Sequence, residues 1–586
     1  LLPKTLDIED LVSKENLAHS IGNSWDTWTI LASPWLELQK EKRNFLFATD
    51  TSATAQVSQP WRNTTTIPKL TQVRDTLFAA YDATLFPNDD WFVWEGDDEN
   101  SDTKQKKETI QAFVRNKTKA SKFKQMMTRL LLDWIDYGNC FAKVKFVNET
   151  IEDPDTGERL GGYVGPKLMR ISPLDIKFDP TATEFDKTPK IIRSLVSIGQ
   201  LTKKVKNDPD NKLAQEALKR AKMIRGEVGN LDEGDVFKDG EYSVDGFSSY
   251  QEYLRSDNVE VLTFYGDLYD DANDELLENY KIVIIDRMFV ISKAPVNDWM
   301  GDDHIYHAGW RLRPDNLYAM GPLDNLVGLQ YRMDHLENLR ADAFDMIGFP
   351  IRKISGDVEA FEGAPGEDIF IGDEGDVTYL TPDTTALTAD TQIDIIERRM
   401  EEMAGAPREA IGLRTPGEKT AFEVQTLDNA SNRLFQSKTD YFEEEFVEPI
   451  LNSFLSIGRQ RMVEPELLKI LSSDIDVVTF RTIQKDDLEA NGKLRPVGSS
   501  HFKRRALLAQ NLVALLNSPV GIDDAIKVHT SGKKIAKIME EALGLERFGL
   551  VKDNIRVFEQ LETQKLATQA NEQAELAAAT PTEDIL

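Results

Sequence analysis

Apolar positions along this chain fall at helical spacing in some stretches and alternate at strand spacing in others. Residues 1–48 read as helical, with Trp25, Trp28 and Trp35 among many aromatics, and 49–66 as a polar loop. After Pro68, Leu70, Val73, Leu77, Phe78 and Tyr81 mark one face of an amphipathic helix. It stops at Pro87-Asn88-Asp89-Asp90, where proline and Asn-Asp favour a turn. A further helix spans 107–137 and breaks at Gly138-Asn139. Strand patterns then take over at Cys140–Val147, Tyr163–Ile171, Lys190–Ile198, Val259–Tyr265, Lys281–Asp286 and Phe289–Ser292. Asp153-Pro154-Asp155-Thr156-Gly157 reads as a hairpin tip, and a polar helical insert occupies 199–225.

From Gly321 the pattern changes. Leu326, Leu329, Met333, Leu336, Ala343 and Ile347 form one stripe of a long helix that ends at Gly348-Phe349-Pro350. Residues 351–388 are rich in Gly, Pro and acid, with short strand patterns at Asp368–Ile371 and Val377–Leu380. A returning helix at 390–404, a breaker-rich loop Gly405–Gly417 and a very long helix from Glu418 to Ile457 follow. A strand pattern at 475–483, three short helices within 502–545 and a fraying Gln/Ala-rich end complete the chain.

With 586 residues the chain exceeds one hydrophobic core, and roughly three to five structural units are expected. Cys140 is alone, which excludes an intrachain disulfide or a cysteine zinc cluster and fits folding in a reducing compartment. No apolar run suggests a membrane span. Asp7, Glu9 and Asp10 precede any apolar stretch, the wrong order for a secretion signal. Seventy Lys and Arg against 100 Asp and Glu leave a net charge of −30. No Lys/Arg block offsets it, so a dedicated nucleic-acid-binding protein is disfavoured. A protein that surrounds DNA without gripping it is compatible with this balance.

Candidate chemistry is sparse. Gly412-Leu413-Arg414-Thr415-Pro416-Gly417-Glu418-Lys419-Thr420 approaches a phosphate-binding loop, but Glu418 stands where the motif needs Lys, and no strand precedes it. A loop followed by a helix start, with Glu418 on the positive end of the helix dipole, explains it better. His304 and His307 have ligand-like spacing, yet residues three apart on a strand face opposite ways. The acidic pairs Asp89/Asp90, Asp97/Asp98 and Asp302/Asp303 read as solvated turns. No catalytic residue, metal ligand or cofactor motif is expected, and the chain reads as a non-enzyme.

Four segments, in order, resemble the portal proteins (head-to-tail connectors) of tailed bacteriophages, most of all the short-tailed ones. Ala80–Trp91-Phe92 resembles the early wing helix, and Ile171-Ser172-Pro173-Leu174-Asp175 through Pro180 a wing strand. Tyr318-Ala319-Met320-Gly321-Pro322-Leu323-Asp324-Asn325-Leu326, with Gln330, Asn338 and Phe349-Pro350, resembles the approach to a stem helix. Gly417-Glu418-Lys419-Thr420-Ala421-Phe422-Glu423-Val424, and the helix reaching Glu448-Pro449, resembles the helix after the tunnel loop.

The resemblance implies an α+β, mainly helical subunit of wing, stem, clip and crown, in a closed ring of twelve at one capsid vertex. The wing would be 1–320, completed by 459–497; the stem helices 321–347 and 389–404 would enclose the clip, 348–388. A tunnel loop at 405–418, a long helix at 419–458, a crown at 498–560 and a flexible tail at 561–586 complete the map. Such a ring nucleates head assembly in the host cytoplasm, remains in the virion, and passes double-stranded DNA non-specifically during packaging and ejection. Its implied partners are the major capsid and scaffolding proteins, the terminase large subunit and a head–tail adaptor, with no membrane.

Twelve copies would carry about −360 formal charges, twelve times −30, which disfavours tight phosphate contacts. Arg408, Glu409, Arg414 and Lys419 are candidate channel residues; for the three cations, surface solubility or subunit-to-subunit ion pairs remain an equal alternative. The clip holds nine acidic and two basic residues, so Asp357, Glu359, Glu362, Glu367, Asp368, Asp373, Glu374 and Asp376 are candidates for docking basic partners. Arg332, Asp334, Glu337, Arg340 and Asp342 suit wet contacts between neighbouring stem helices, or else a solvated face. Two other readings stay open: a different virion structural protein, and a DNA-processing enzyme, which would need convergent ligands.

Overall fold

The computed structural model describes residues 5–8, 14–46, 62–86, 91–152, 159–207, 211–226, 258–359, 370–380, 387–405, 435–462, 465–471, 478–497 and 535–536, apart from a few positions within them. About half of the structure is helix and 28% strand, so the fold is mixed α+β rather than all-helical. Among the described residues the main α-helices are α1 (Lys14–Leu46), α2 (Lys69–Leu85), α3 (Lys104–Ala120), α4 (Phe123–Asp136), α5 (Ile198–Asn207), α6 (Lys212–Gly226), α7 (Val327–Gly348), α8 (Ala389–Ala404) and α9 (Glu448–Arg461). Two compact units form, one from 1–86 with 117–462 and one from 87–116 with 463–586.

The larger unit is built on a six-stranded sheet ordered Phe289–Pro295, Glu275–Ile285, Asn258–Asp270, Lys190–Ser197 and Ile176–Phe178. Thr5–Ile8 joins it in parallel, pairing with 267–270, a strand within the stretch expected to be helical. Both faces of the sheet are covered because its central strand alternates. Leu262, Phe264 and Leu268 meet Leu17, Ile21 and Trp25 of α1, whereas Val259 and Val261 meet Leu201 and Ala217 of α5 and α6. A second, three-stranded sheet pairs Ile305–Gly309 and Val164–Ile171 with Asn139–Asn148 on either side. Between the sheets lies an aromatic cluster including Trp35, Phe141, Phe178, Phe185 and Tyr318.

The helix expected at 107–137 is two helices. Lys122 takes a left-handed φ of 57° and starts α4 afresh. Gly138 does end α4's approach, for a steric reason: at φ 70° a Cβ there would stand 2.3 Å from the Gly321 nitrogen. The insert at 199–225 is likewise a helix pair, α5 and α6. Of the long helix from Glu418, the described part runs through 435–442, a π-helical turn Glu443–Val447 and α9. That π turn adds one residue to the winding, and Phe442 just before it packs on Phe446 within it, with ring centroids 5.1 Å apart.

In the smaller unit Phe92–Gly96 pairs antiparallel with Gly492–Pro496, and Glu466–Leu471 with Val478–Ile483. Trp94 is fully buried there and donates its indole N–H to the Ser101 carbonyl at 3.0 Å. Lys106 donates to the carbonyls of Asp486 and Glu489, which end a short 3-10 turn.

Candidate functional site

The part of the larger unit with the most unusual surface is the excursion formed by α7, a two-stranded ribbon and α8. Its base is fixed by a buried ion pair. Lys42 of α1 binds Asp324 in the 3-10 turn that precedes α7, and the second Asp324 oxygen accepts the Gly321 N–H at 2.7 Å. Burial pushes the Lys42 ammonium below its ordinary range despite the attraction of Asp324.

Along α7, Gln330, Asp334, Asn338 and Asp342 recur every four residues and hold the segment 63–70, which has no secondary structure before α2. Gln330 donates to the Ile67 carbonyl at 2.6 Å and accepts the Leu70 N–H at 3.2 Å. Asn338 both accepts from and donates to the Thr65 backbone, at 2.8 and 3.1 Å. Asp342 accepts the Asn63 N–H at 2.8 Å, and Asp345 accepts the Asn63 amide at 2.7 Å. The match is geometric: four helical residues rise about 6 Å, and two extended residues advance roughly 6.6 Å. Side chains on one helical stripe thus reach alternate peptide groups of the strap.

α7 and α8 pack side by side, with Met333 and Ala343 buried on one and Ile393, Ile396 and Met400 on the other. Arg340 bridges them, bound to Glu337 and to Asp390 of α8. Lys69 at the head of α2 reaches Glu401 at 2.8 Å and Glu397 at 3.3 Å. Of the charges expected to serve contacts between neighbouring copies, Asp334, Glu337, Arg340 and Asp342 are therefore engaged within the chain.

Beyond Phe349, which is 88% exposed, the ribbon pairs Ile351–Ser355 with Asp376–Leu380. A β-bridge between Val358 and Ile371 extends it. Gly356 turns the strand at φ 78°, where a Cβ would meet the Glu374 carbonyl oxygen at 2.0 Å. Asp357, Glu359, Asp373, Glu374 and Asp376 are exposed and gather at this end, while Arg352 and Lys353 are exposed on the strand nearer the helices. Glu362, Glu367 and Asp368 lie outside the described residues, as do Arg408, Glu409, Arg414 and Lys419, with the whole loop string 412–420.

More than half of the exposed large apolar side chains among the described residues fall between Tyr331 and Met403. On the ribbon they sit on both faces: Ile351 and Ile354 on one strand, Tyr379 and Leu380 on the other, with Phe370 and Ile371 beside the bridge. The acidic composition of this insert was legible in the sequence. Its unshielded apolar content was not, because short alternating patterns there imply a buried face.

The two histidines with ligand-like spacing part company. His307 is half-buried at its surface, stacks on Phe141 with centroids 4.6 Å apart and contacts Asn139 Oδ1 at 3.0 Å; desolvation of the ring pushes it down to about 3. His304, at φ 54°, contacts Ser453 Oγ of α9 at 2.9 Å and Asp302 at 3.3 Å through Nδ1. Its Nε2 stands 3.1 Å from Asp298, at ion-pair distance though off the hydrogen-bonding line. Burial opposes its charge, but Asp302 and Asp298 outweigh burial and hold it above the ordinary histidine value. Among the described residues no group of three or more His, Cys, Asp or Glu is placed to hold a metal ion. Within the same residues no helix is long and apolar enough to cross a membrane.

No protein-family model matches the chain, and no curated protein matches it.

Proposed function

We propose that this chain is a portal-type subunit: copies close into a ring at one capsid vertex, enclosing a channel through which double-stranded DNA is packaged and later ejected. The observation that carries this reading is the ribbon between α7 and α8, exposed on both faces and bearing Ile351, Ile354, Tyr379 and Leu380. A lone two-stranded ribbon is marginal in water. Clustered exposed apolar groups on a folded chain mark a surface that another protein covers.

A helix–ribbon–helix excursion presents different surfaces on its two sides. Contacts between copies are then heterologous, and they close into a ring when the rotation between neighbours permits. In this reading α7 and α8 form the stem and the ribbon the clip. The acidic end of the ribbon docks basic faces of the packaging terminase and, later, of a tail adaptor. Capsid and scaffolding proteins surround the body of the subunit, twelve copies complete the ring, and the net charge of −30 per copy keeps DNA sliding rather than bound. The role is that of a channel and a platform, with ATP hydrolysis supplied by another polypeptide.

Electron microscopy and light scattering of the purified full chain test the proposal. Closed rings with a central hole are expected. Phe349→Ser combined with Ile354→Ser, both highly exposed, should lower ring yield while circular dichroism stays unchanged. A wild-type chain that remains monomeric at high concentration would defeat the reading.

A further inference from the structure

Charge is spread unevenly along this acidic chain. Residues 109–132 hold six Lys or Arg and no Asp or Glu, although the chain has 100 acids among its 586 residues. These cations are interleaved with neutral residues, so they form no block. α4 begins within this stretch, and burial divides it in two. Phe123, Met127, Leu130, Leu131 and Trp134 are buried, while Lys124, Gln125 and Arg129, with Lys122 at the head of the helix, are exposed. Lys119, one turn earlier at the end of α3, is exposed too, and its carbonyl accepts the Lys122 N–H at 3.3 Å.

The helix does not neutralise its own outer face. Its two carboxylates are buried: Asp133 takes Arg170 at 2.7 Å, and Asp136 takes Arg74 at 2.8 Å. On the elements packed against α4, Glu149 holds Lys167 at 2.6 Å and Asp75 lies 3.3 Å from Arg74. Among the described residues Lys122, Lys124 and Arg129 make no ion pair. Every position three or four residues from them is neutral or basic, apart from the inward Asp133. Elsewhere the chain does pair such charges along a helix, as Arg220 with Glu216 on α6 and Arg340 with Glu337 on α7. Lys122 and Lys124 also stand at the positive end of the helix dipole, where cations are disfavoured. Two local rules broken on one surface are the mark of a functional face.

We infer that the outer face of α4, through Lys122, Lys124 and Arg129, contacts the phosphate backbone of double-stranded nucleic acid. No large apolar side chain of α4 is exposed, so a protein partner would find no anchor to bury. No exposed aromatic accompanies the cations, so the bases of a single strand would find no stacking platform. A duplex backbone needs only the charges. The net charge of −30 does not forbid this contact. At about 0.1 M salt a charge is felt over about 10 Å, so a duplex lying on α4 senses these cations more than distant acids. Three cations give a weak, sequence-independent contact. It needs only the single chain, and so does not depend on ring closure.

The full chain is titrated into a short fluorescent DNA duplex, followed by anisotropy, between about 0.05 and 0.2 M salt. Binding is expected that ignores duplex sequence and weakens steeply with salt. Lys122→Gln/Lys124→Gln/Arg129→Gln should weaken it about tenfold or more at the lowest salt and release about three fewer counterions. Lys293→Gln/Arg313→Gln/Lys493→Gln removes three exposed cations elsewhere and should leave binding nearly unchanged. Lys122→Arg/Lys124→Arg should retain it, and circular dichroism checks that each variant is folded. A monomeric chain that binds the duplex in this way defeats the ring and keeps the inference. Failure of the wild type to bind the duplex, equal losses in the two glutamine variants, or binding of polyglutamate in place of the duplex overturns it.

Discussion

Asp334 accepts the backbone N–H of Ile67 at 3.0 Å, joining the middle of α7 to a strap that begins more than 260 residues earlier. The same oxygen accepts the Gln330 amide at 2.8 Å. Burial raises the Asp334 carboxyl to about 6 despite these two donors. Asp334→Ala should cost about 1–3 kcal/mol, since it orphans buried donors. Asp334→Asn keeps the accepting oxygen and removes the poorly solvated charge, so it should match or exceed the wild type above neutral pH. Hydrogen exchange at the Thr65 and Ile67 amides reads the difference directly: fast in the alanine variant, protected in the asparagine one.

The buried pair Lys42–Asp324 gives a second expectation. Removing one partner strands the other charge away from water, and Lys42→Met alone should cost roughly 3–5 kcal/mol. Combining it with Asp324→Asn should recover most of that loss. Urea denaturation of both variants checks it, and equal losses in the single and double variants would contradict a coupled pair.

His304 sets a pH dependence. Its folded-state pKa is raised, so its contribution to stability is fully present below the ordinary histidine value near 6.5 and is lost as pH rises through the raised value. Denaturation midpoints should therefore fall as pH rises from the ordinary histidine value through the raised one, and His304→Gln should flatten that part of the profile. Asp302, held down to about 2 by its partners against burial, should not titrate in this window.

Glu443 opens the π turn, and one of its carboxylate oxygens is buried without a partner. Burial, and then Asp440, raise it to about 7. The fold therefore favours the protonated acid: the stabilisation is present below the ordinary glutamate value and is lost as pH rises past about 7. Glu443→Gln should raise stability at alkaline pH by on the order of 2 kcal/mol and change little in acid. Thermal melts across that range test it.

Much of the secondary structure was legible because long periodic segments carry their own signal. α2, α7 and α8 lie where the stripes of Leu70–Tyr81, Leu326–Ile347 and 390–404 place them, and the strands at 140–147, 163–171 and 190–198 match within a residue or two. Lys122 was illegible because a left-handed lysine between two helices leaves no compositional mark. Strands at 305–309 and 316–320 escaped notice because five residues each are too few to carry a clear alternating pattern. The stripe Gln330, Asp334, Asn338, Asp342 was visible as a polar face, but only the tertiary structure discloses that it reads a backbone rather than water.

The pairing of Phe92–Gly96 with Gly492–Pro496 has a consequence for biosynthesis. At translation speeds of about 5–20 residues per second, the first of these strands leaves the ribosome roughly 20–80 s before its partner exists. Throughout that interval Trp94 has no Leu494 beside it. The smaller unit is thus obliged to mature last, and a nascent chain stalled before residue 490 would still carry an unsatisfied tryptophan-bearing edge for chaperones to shield.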